Sequence, residues 1–198
     1  MRGAGMPYAV CGSCQSVIAR DGMAKVGTAA SLPEDVSPIQ LGTGGVWDGA
    51  RFTVVGRVRW GWADGAWNEW LLQVSDGTTR WLGEAMGQFQ LLAEREDVAA
   101  SLGVVALGDV VRVDGVDFIA SDVKAVVCLG GEGDLPFPTP KDWSVESVDF
   151  RSPTGAALSV QRDGLRVSAY VGRYVELAQL RPSRLRVMDG WAVPEAFR

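Results

Sequence analysis

The sequence predicts an all-β protein made of two tandem, small SH3-like barrels related by an internal duplication. Glycine (25 residues) and proline (9) are spread between short apolar runs, a distribution that favours many strands and turns over long helices. The stretch 60–87 gathers five of the eight tryptophans around two turn signals, Asp64-Gly65 and Asp76-Gly77, and reads as a tight β-meander. The series Leu41-Gly42, Asp48-Gly49, Phe52 returns with the same spacing as Leu107-Gly108, Asp114-Gly115, Phe118, each copy opening a long apolar strand.

In chain order, residues 1–27 carry Cys11-Gly-Ser-Cys14 among turn formers and few bulky apolar residues, too few for a core of their own. This spacing is that of one zinc knuckle, in which the amides of a tight turn donate to two thiolates. A closed structural site needs four ligands, so Cys11 and Cys14 form an incomplete zinc site, and the segment is expected to be poorly ordered without metal. Cys128, inside an apolar run, reads as a buried structural thiol. Residues 28–40, with two prolines, read as a linker.

The first β module covers 41–106. Phe52, Val54, Val58 and Trp60 alternate onto one side of its first long strand, and Trp70, Leu72 and Val74 onto one side of the next. Residues 94–102 form a short charged helix or connector. The second module, 107–180, has strands near 109–113, 116–129, 143–151, 156–162 and 165–179, with a hairpin turn at Asp163-Gly164. Three glycines and three prolines make 130–142 a surface loop or arch. The tail, 181–198, carries one short strand at 185–188 and docks through Trp191.

Composition narrows the function classes. A net charge of −5 with scattered basic residues argues against a nucleic-acid surface, which needs clustered Lys and Arg. No apolar run approaches the ~20 residues of a membrane helix, and the N-terminus lacks a secretory core, so the expected location is cytoplasmic, without membrane insertion. The chain has no histidine, which removes Ser-His-Asp and Cys-His nucleophile pairs and imidazole metal ligands. No residue is assigned a catalytic role.

Trp60, Trp70 and Trp81 read as core, since an enclosed Trp removes ~150–250 Å² from water, on the order of 4–6 kcal/mol before entropy at ~25 cal/mol per Å². Trp62 and Trp67 flank a hairpin tip too small to bury both, so they are either a binding surface or a cross-strand pair. Glu69 and Glu84, near aromatic surface, either hold a cation, serve as acid and base, or satisfy backbone amides at turns.

Trp67-Asn68-Glu69-Trp70, Asp76-Gly77 and Trp81-Leu82-Gly83-Glu84-Ala85, behind Phe52-Thr-Val-Val-Gly-Arg57-Val58, resemble the bacterial family of unknown function DUF4178. The likeness extends to Cys11-x-x-Cys14-x-Ser16, to 34–42, and to Gly131-Glu132 with Leu135-Pro136, covering about 8–180. It implies two tandem β-rich modules behind a zinc-ribbon-like start. Members usually carry a further cysteine knuckle upstream, whereas ten residues precede Cys11 here, so the resemblance implies half of a zinc site. Gene neighbours in the family include polyamine-synthesis-like enzymes, small membrane proteins and phage-shock-type coat proteins.

The expected function is therefore a non-enzymatic adaptor that binds a protein partner in a membrane-stress or polyamine-linked operon. The alternative is a module that binds a polyamine or other small cation in support of a neighbouring enzyme. Candidate contact residues for either are Trp62, Trp67, Asn68, Glu69, Glu84 and Glu132. The two readings differ in what they require: a cation site needs carboxylates converging on an aromatic-walled pocket, an adaptor a flat exposed apolar patch.

Overall fold

The computed structural model describes residues 6–21, 24–29, 32, 36–140, 142–191 and 193–197. Its strands are β1 (Tyr8–Val10), β2 (Ser16–Ala19), β3 (Ala24–Thr28), β4 (Gly44–Trp47), β5 (Ala50–Trp62), β6 (Gly65–Val74), β7 (Thr79–Ala85) and β8 (Gln88–Glu94). The short helix α1 (Glu96–Ser101) follows, then β9 (Val110–Val113), β10 (Val116–Leu135), β11 (Ser144–Arg151), β12 (Ala156–Asp163) and β13 (Arg166–Val175). The protein is all-β, and every pairing between these strands is antiparallel.

The repeated Leu-Gly, Asp-Gly, Phe series has the same local geometry in both places. Asp48 and Gly49 (φ 49° and 78°) join β4 to β5, and Asp114 and Gly115 (φ 50° and 81°) join β9 to β10, in each case the two positive dihedrals that a two-residue hairpin loop requires. Upstream, Gly42 N donates to Val54 O and Gly108 N to Ala120 O, both at 2.9 Å. Phe52 and Phe118 are both buried, each in the outer core of its own half.

The two halves, expected as separate small barrels, instead share one sheet. Four strands of the first half, β5–β8, and four of the second, β10–β13, are two meanders whose free edges pair with each other. β8 pairs with β13 from Phe89↔Val175 to Glu94↔Tyr170, and β5 pairs with β10 from Gly56↔Gly133 to Trp60↔Cys128. The result is a closed ring of eight strands. A four-stranded meander has two unsatisfied edges, and these satisfy each other's.

Three apolar clusters follow from the closure. The interior cluster takes side chains from every ring strand: Val58 and Trp60, Leu71, Trp81, Leu92, Val126 and Cys128, Val145, Ala157 and Tyr170. Outside, Phe52, Val54, Trp70, Leu72, Leu82 and Phe89 are covered by Ile39 and Leu180. On the second half, Phe118, Phe150, Leu158 and Val160 are covered by Val98 of α1, with Val105 and Val113. Trp60 and Trp70 are both 0% exposed, one in the interior cluster and one outside.

The structure corrects four expectations. Phe52 and Val54 do not share a face with Val58 and Trp60. A register shift between Val54 and Gly56 inserts one residue, so the first pair faces outward and the second inward, as a β-bulge dictates. Residues 130–135 are strand, not arch. β10 runs 20 residues to Leu135, using Gly131 and Gly133 where a Cβ would fall 2.7 Å from Thr139 Oγ1 and 2.3 Å from Val55 O. Gly133 admits the β5 backbone, and Gly131 the Thr139 side chain.

The cysteine segment has a defined fold. β1 pairs with the end of β10 and β2 with β1, and Val10 and Val17 bury in the interior cluster, so the segment borrows the core it lacks. In the tail, 185–188 makes no strand; Met188 forms a single bridge with Trp191, and the tail is held by Leu180 and by Ser183 against Gly44. Of the expected linker, Ala30, Ser31, Pro33, Glu34 and Asp35 lie outside the described residues, whereas Ile39 and Ser37 are buried. Among the described residues no helix is long and apolar enough to cross a membrane.

Candidate functional site

Alternation along the ring strands sends Trp62 of β5, Trp67 and Glu69 of β6, Gln90 of β8, Asp122 and Lys124 of β10, Asp149 and Arg151 of β11, Ser159 of β12 and Tyr170 and Tyr174 of β13 inward. They line a cavity of about 270 Å³ together with Trp81 and Leu92. Its residues lie where β5 and β7 end and β6, β8, β10 and β12 begin, so the cavity occupies one mouth of the ring. At the other end, Phe137 stacks on Trp81 with centroids 5.8 Å apart and meets Trp143 edge-on at 5.5 Å, closing the interior. Eight strands leave room for side chains or one small ligand.

Glu69 lies deep in this cavity. Trp60 Nε1 donates to its Oε2 at 2.9 Å, and Trp67 Nε1 and Gln161 Nε2 donate to Oε1 at 3.1 and 2.8 Å. Its remaining exposure is to the cavity. Loss of solvent around the carboxylate raises its pKa above the usual range, against the pull of the three donors. Asp149, paired across the sheet with Asp122 and Ser159, is raised in the same way by burial, partly opposed by the Ser159 hydroxyl. Burial, then the Glu69 charge, also pushes Tyr170 up.

At the mouth, Lys124 forms an ion pair with Asp122, and its ammonium sits 4.6 Å from the Trp62 ring centroid. Trp62 packs on Trp67 at 5.6 Å. The hairpin-tip tryptophans therefore pack on each other across the paired strands β5 and β6. They are half-buried, lean on the interior cluster and form one wall of the cavity.

The six expected contact residues divide between the two faces of the sheet. Trp62, Trp67 and Glu69 are inside. Asn68, Glu84 and Glu132 belong to a network on the outer side, since neighbours along a strand alternate. Arg57, 3% exposed, donates to Asn68 Oδ1 at 2.8 Å and Glu132 Oε1 at 3.3 Å, and lies 4.7 Å over the Trp70 ring. Glu84 edges the cavity, yet its Oε2 accepts from Trp70 Nε1 (2.9 Å), Asn68 Nδ2 (3.1 Å) and Ser37 Oγ (2.7 Å). Both glutamates accept from indole N–H groups.

Cys11 and Cys14 occupy the β1–β2 turn, where Cys11 N donates to Ser16 O and Gln15 N to Cys11 O, each at 2.9 Å. Hydrogen bonding with Ser16, chiefly its side chain, holds the exposed Cys14 thiol down to about 7, which suits thiolate ligation. Among the described residues no group of three or more His, Cys, Asp or Glu side chains is placed to hold a metal ion. Cys128 is buried, and desolvation pushes its thiol up to about 11.

A family model, that of a domain of unknown function (DUF4178), matches residues 40–177. The chain belongs to the DUF4178 family. The matched span runs from the residue before the first Leu-Gly turn to just past β13, so it takes in all eight ring strands and leaves out the cysteine turn. No curated protein and no solved structure matches the chain.

Sequence reasoning missed Asp122, Asp149, Arg151 and Tyr170 as members of the DUF4178 cavity, and Gln161 as the buried donor behind Glu69. The available signal was the alternation Val145, Ser147, Asp149, Arg151 against Val148, Phe150. In a half-buried strand the polar side faces water, and the sequence does not say that here it faces a cavity. A larger hollow of about 780 Å³ lies outside the ring between the cysteine hairpin and β5. Phe52 is the one aromatic residue in its described lining, so it lacks the aromatic wall of a cation site.

Proposed function

We propose that the ring is a ligand-binding barrel whose cavity takes a small organic cation of the amine class, in support of an enzyme that makes or uses it. The carrying observation is the convergence of Glu69, Asp149 and Asp122 on a cavity walled by Trp62, Trp67, Trp81, Tyr170 and Tyr174. Glu69 and Asp149, held above their usual pKa by burial, gain most from a cation, and indole and phenol faces add cation–π attraction of ~0.5–2 kcal/mol. The volume suits a molecule of a few heavy atoms or one end of a polyamine.

Titration calorimetry with spermidine and with n-butylamine tests this reading. Binding is expected to tighten as pH rises through the raised pKa values of Glu69 and Asp149, with proton release, because a cation favours the ionised carboxylates. Trp62→Ala is expected to weaken binding roughly 3- to 30-fold. Heats no larger than those of dilution for both amines at every pH would refute the proposal.

The adaptor reading rested on exposure of Trp62 and Trp67, which here form a cavity wall. The apolar surface that supports a protein partner lies elsewhere, at Leu107, Val110 and Ile119 beside β9, all exposed. For the cysteine turn we propose zinc held by Cys11 and Cys14 with two ligands from outside these 198 residues, a second chain being one source. Metal analysis of the purified protein is expected to give at most one zinc per two chains. Tight stoichiometric zinc in a monomer would require ligands within this chain and end the half-site idea.

A further inference from the structure

We propose that Lys124 is a tethered competitor for the cation site, its ammonium holding in the ligand-free protein the place that the amine of a bound ligand takes. This rests on the amine-binding reading above and adds a gate to it.

Asp122, Lys124, Val126 and Cys128 alternate onto the inner face of β10, and Val126 and Cys128 are in the interior cluster. Lys124 is thus an inward-facing lysine at the cavity mouth, its side chain 33% exposed, and it has not turned away to solvent. Its ammonium meets the two chemical elements that recognise an amine: a carboxylate, Asp122, and an aromatic face, Trp62 at 4.6 Å. Both also line the cavity.

The energetics suit a gate. A partly exposed ion pair and an exposed cation–π contact are each weak, so the ammonium can be displaced. It is also tethered, which gives it an effective concentration in the millimolar range or above. A free amine that touches only Trp62 and Asp122 must outcompete it. A ligand whose second polar group reaches Glu69 or Asp149, the deeper carboxyls, has a contact that Lys124 does not contest. The lysine would therefore reject simple monoamines and admit ligands that span both levels of the cavity.

The test compares n-butylamine, 1,4-diaminobutane and uncharged n-butanol on the wild type, Lys124→Gln and Arg151→Gln, by calorimetry on the full chain. Arg151 also lines the cavity, so its substitution removes a nearby positive charge without vacating the Trp62 face. Lys124→Gln is expected to tighten butylamine about tenfold, with little change for butanol and a smaller one in Arg151→Gln. In the wild type, the Lys124 ε-methylene proton resonance, shifted upfield by the Trp62 ring, is expected to return towards its ordinary position as diamine is added. It is easily followed, since the chain has three lysines.

Equal butylamine affinity in wild type and Lys124→Gln overturns the gate while leaving amine binding intact. Equal gains for butanol, or for Arg151→Gln, also overturn it, because they show space-filling or a general field in place of competition. Absence of amine binding in all three proteins overturns the gate together with the binding reading.

Discussion

Gly172→Ala is expected to destabilise the protein by about 3 kcal/mol or more, with much of the chain unfolded at 37 °C. Gly172 sits opposite Leu92 where β13 closes against β8. A Cβ there would lie 1.9 Å from Leu91 O and 2.9 Å from Leu92 Cα. These are backbone atoms of the partner strand, so no rotamer change relieves the contact and the strands must part. The other closing seam has the same device: a Cβ on Gly56 would fall 2.0 Å from Asp134 O, and Gly56→Ala is expected to cost a similar amount. Gly103, with nothing within 4 Å of an added Cβ, is the control, its change to alanine staying within ~0.5 kcal/mol. Urea titration of the three variants measures this. Near-wild-type midpoints for Gly172→Ala and Gly56→Ala would mean that the ring does not close through these pairings.

Glu69→Leu carries the second large effect, about 2–4 kcal/mol of lost stability. It leaves the indole N–H of Trp60, which is fully buried, and the amide of buried Gln161 without their acceptor, at ~1–3 kcal/mol for each unsatisfied group. Trp67 is only half-buried and lines the cavity, so water can replace its lost acceptor and it adds less. A distinctive pH signature accompanies the loss. The folded pKa of Glu69 lies above its ordinary value of 4.5 and that of Asp149 above 3.8, so between the ordinary and raised values the folded chain binds more protons than the unfolded one. Stability from these two groups is complete below the ordinary values and is lost as pH rises through the raised ones. Glu69→Leu is expected to flatten that decline, and a bound amine to offset it. Denaturation midpoints across pH 4–8 give the comparison. A wild-type midpoint that climbs steadily through this range, with no dependence on residue 69, would show that Glu69 is not raised.

The two effects differ in how visible their causes were. Glu69 was singled out in the sequence for its tryptophan neighbours, and its placement opposite Trp70 follows from strand alternation alone. What was not legible was its company. Gln161 lies far along the chain, and Asp149, with Asp122 and Lys124, comes from the other half of the ring. The glycine seams were less visible still. Gly131 and Gly133 look like turn formers beside three prolines, and only the fold shows that they make room, Gly133 for the Val55 carbonyl of β5 and Gly131 for the Thr139 side chain.

By itself the sequence determined the all-β class, the doubled Leu-Gly, Asp-Gly, Phe arrangement, the turns at Asp64-Gly65, Asp76-Gly77 and Asp163-Gly164, and the burial of Trp60, Trp70, Trp81 and Cys128. These are local matters, settled by dihedral preference and apolar alternation within about a dozen residues. Tertiary structure decided how the halves join and which polar face becomes interior. Edge pairing is satisfied by backbone groups that every residue carries, so no side-chain pattern distinguishes two meanders that close separately from two that close on each other. The bulge between Val54 and Gly56 similarly exchanges inside for outside with one extra residue. The polar side of β11, ordinary solvent face in isolation, becomes the wall of a cavity only because β8 meets β13 and β5 meets β10.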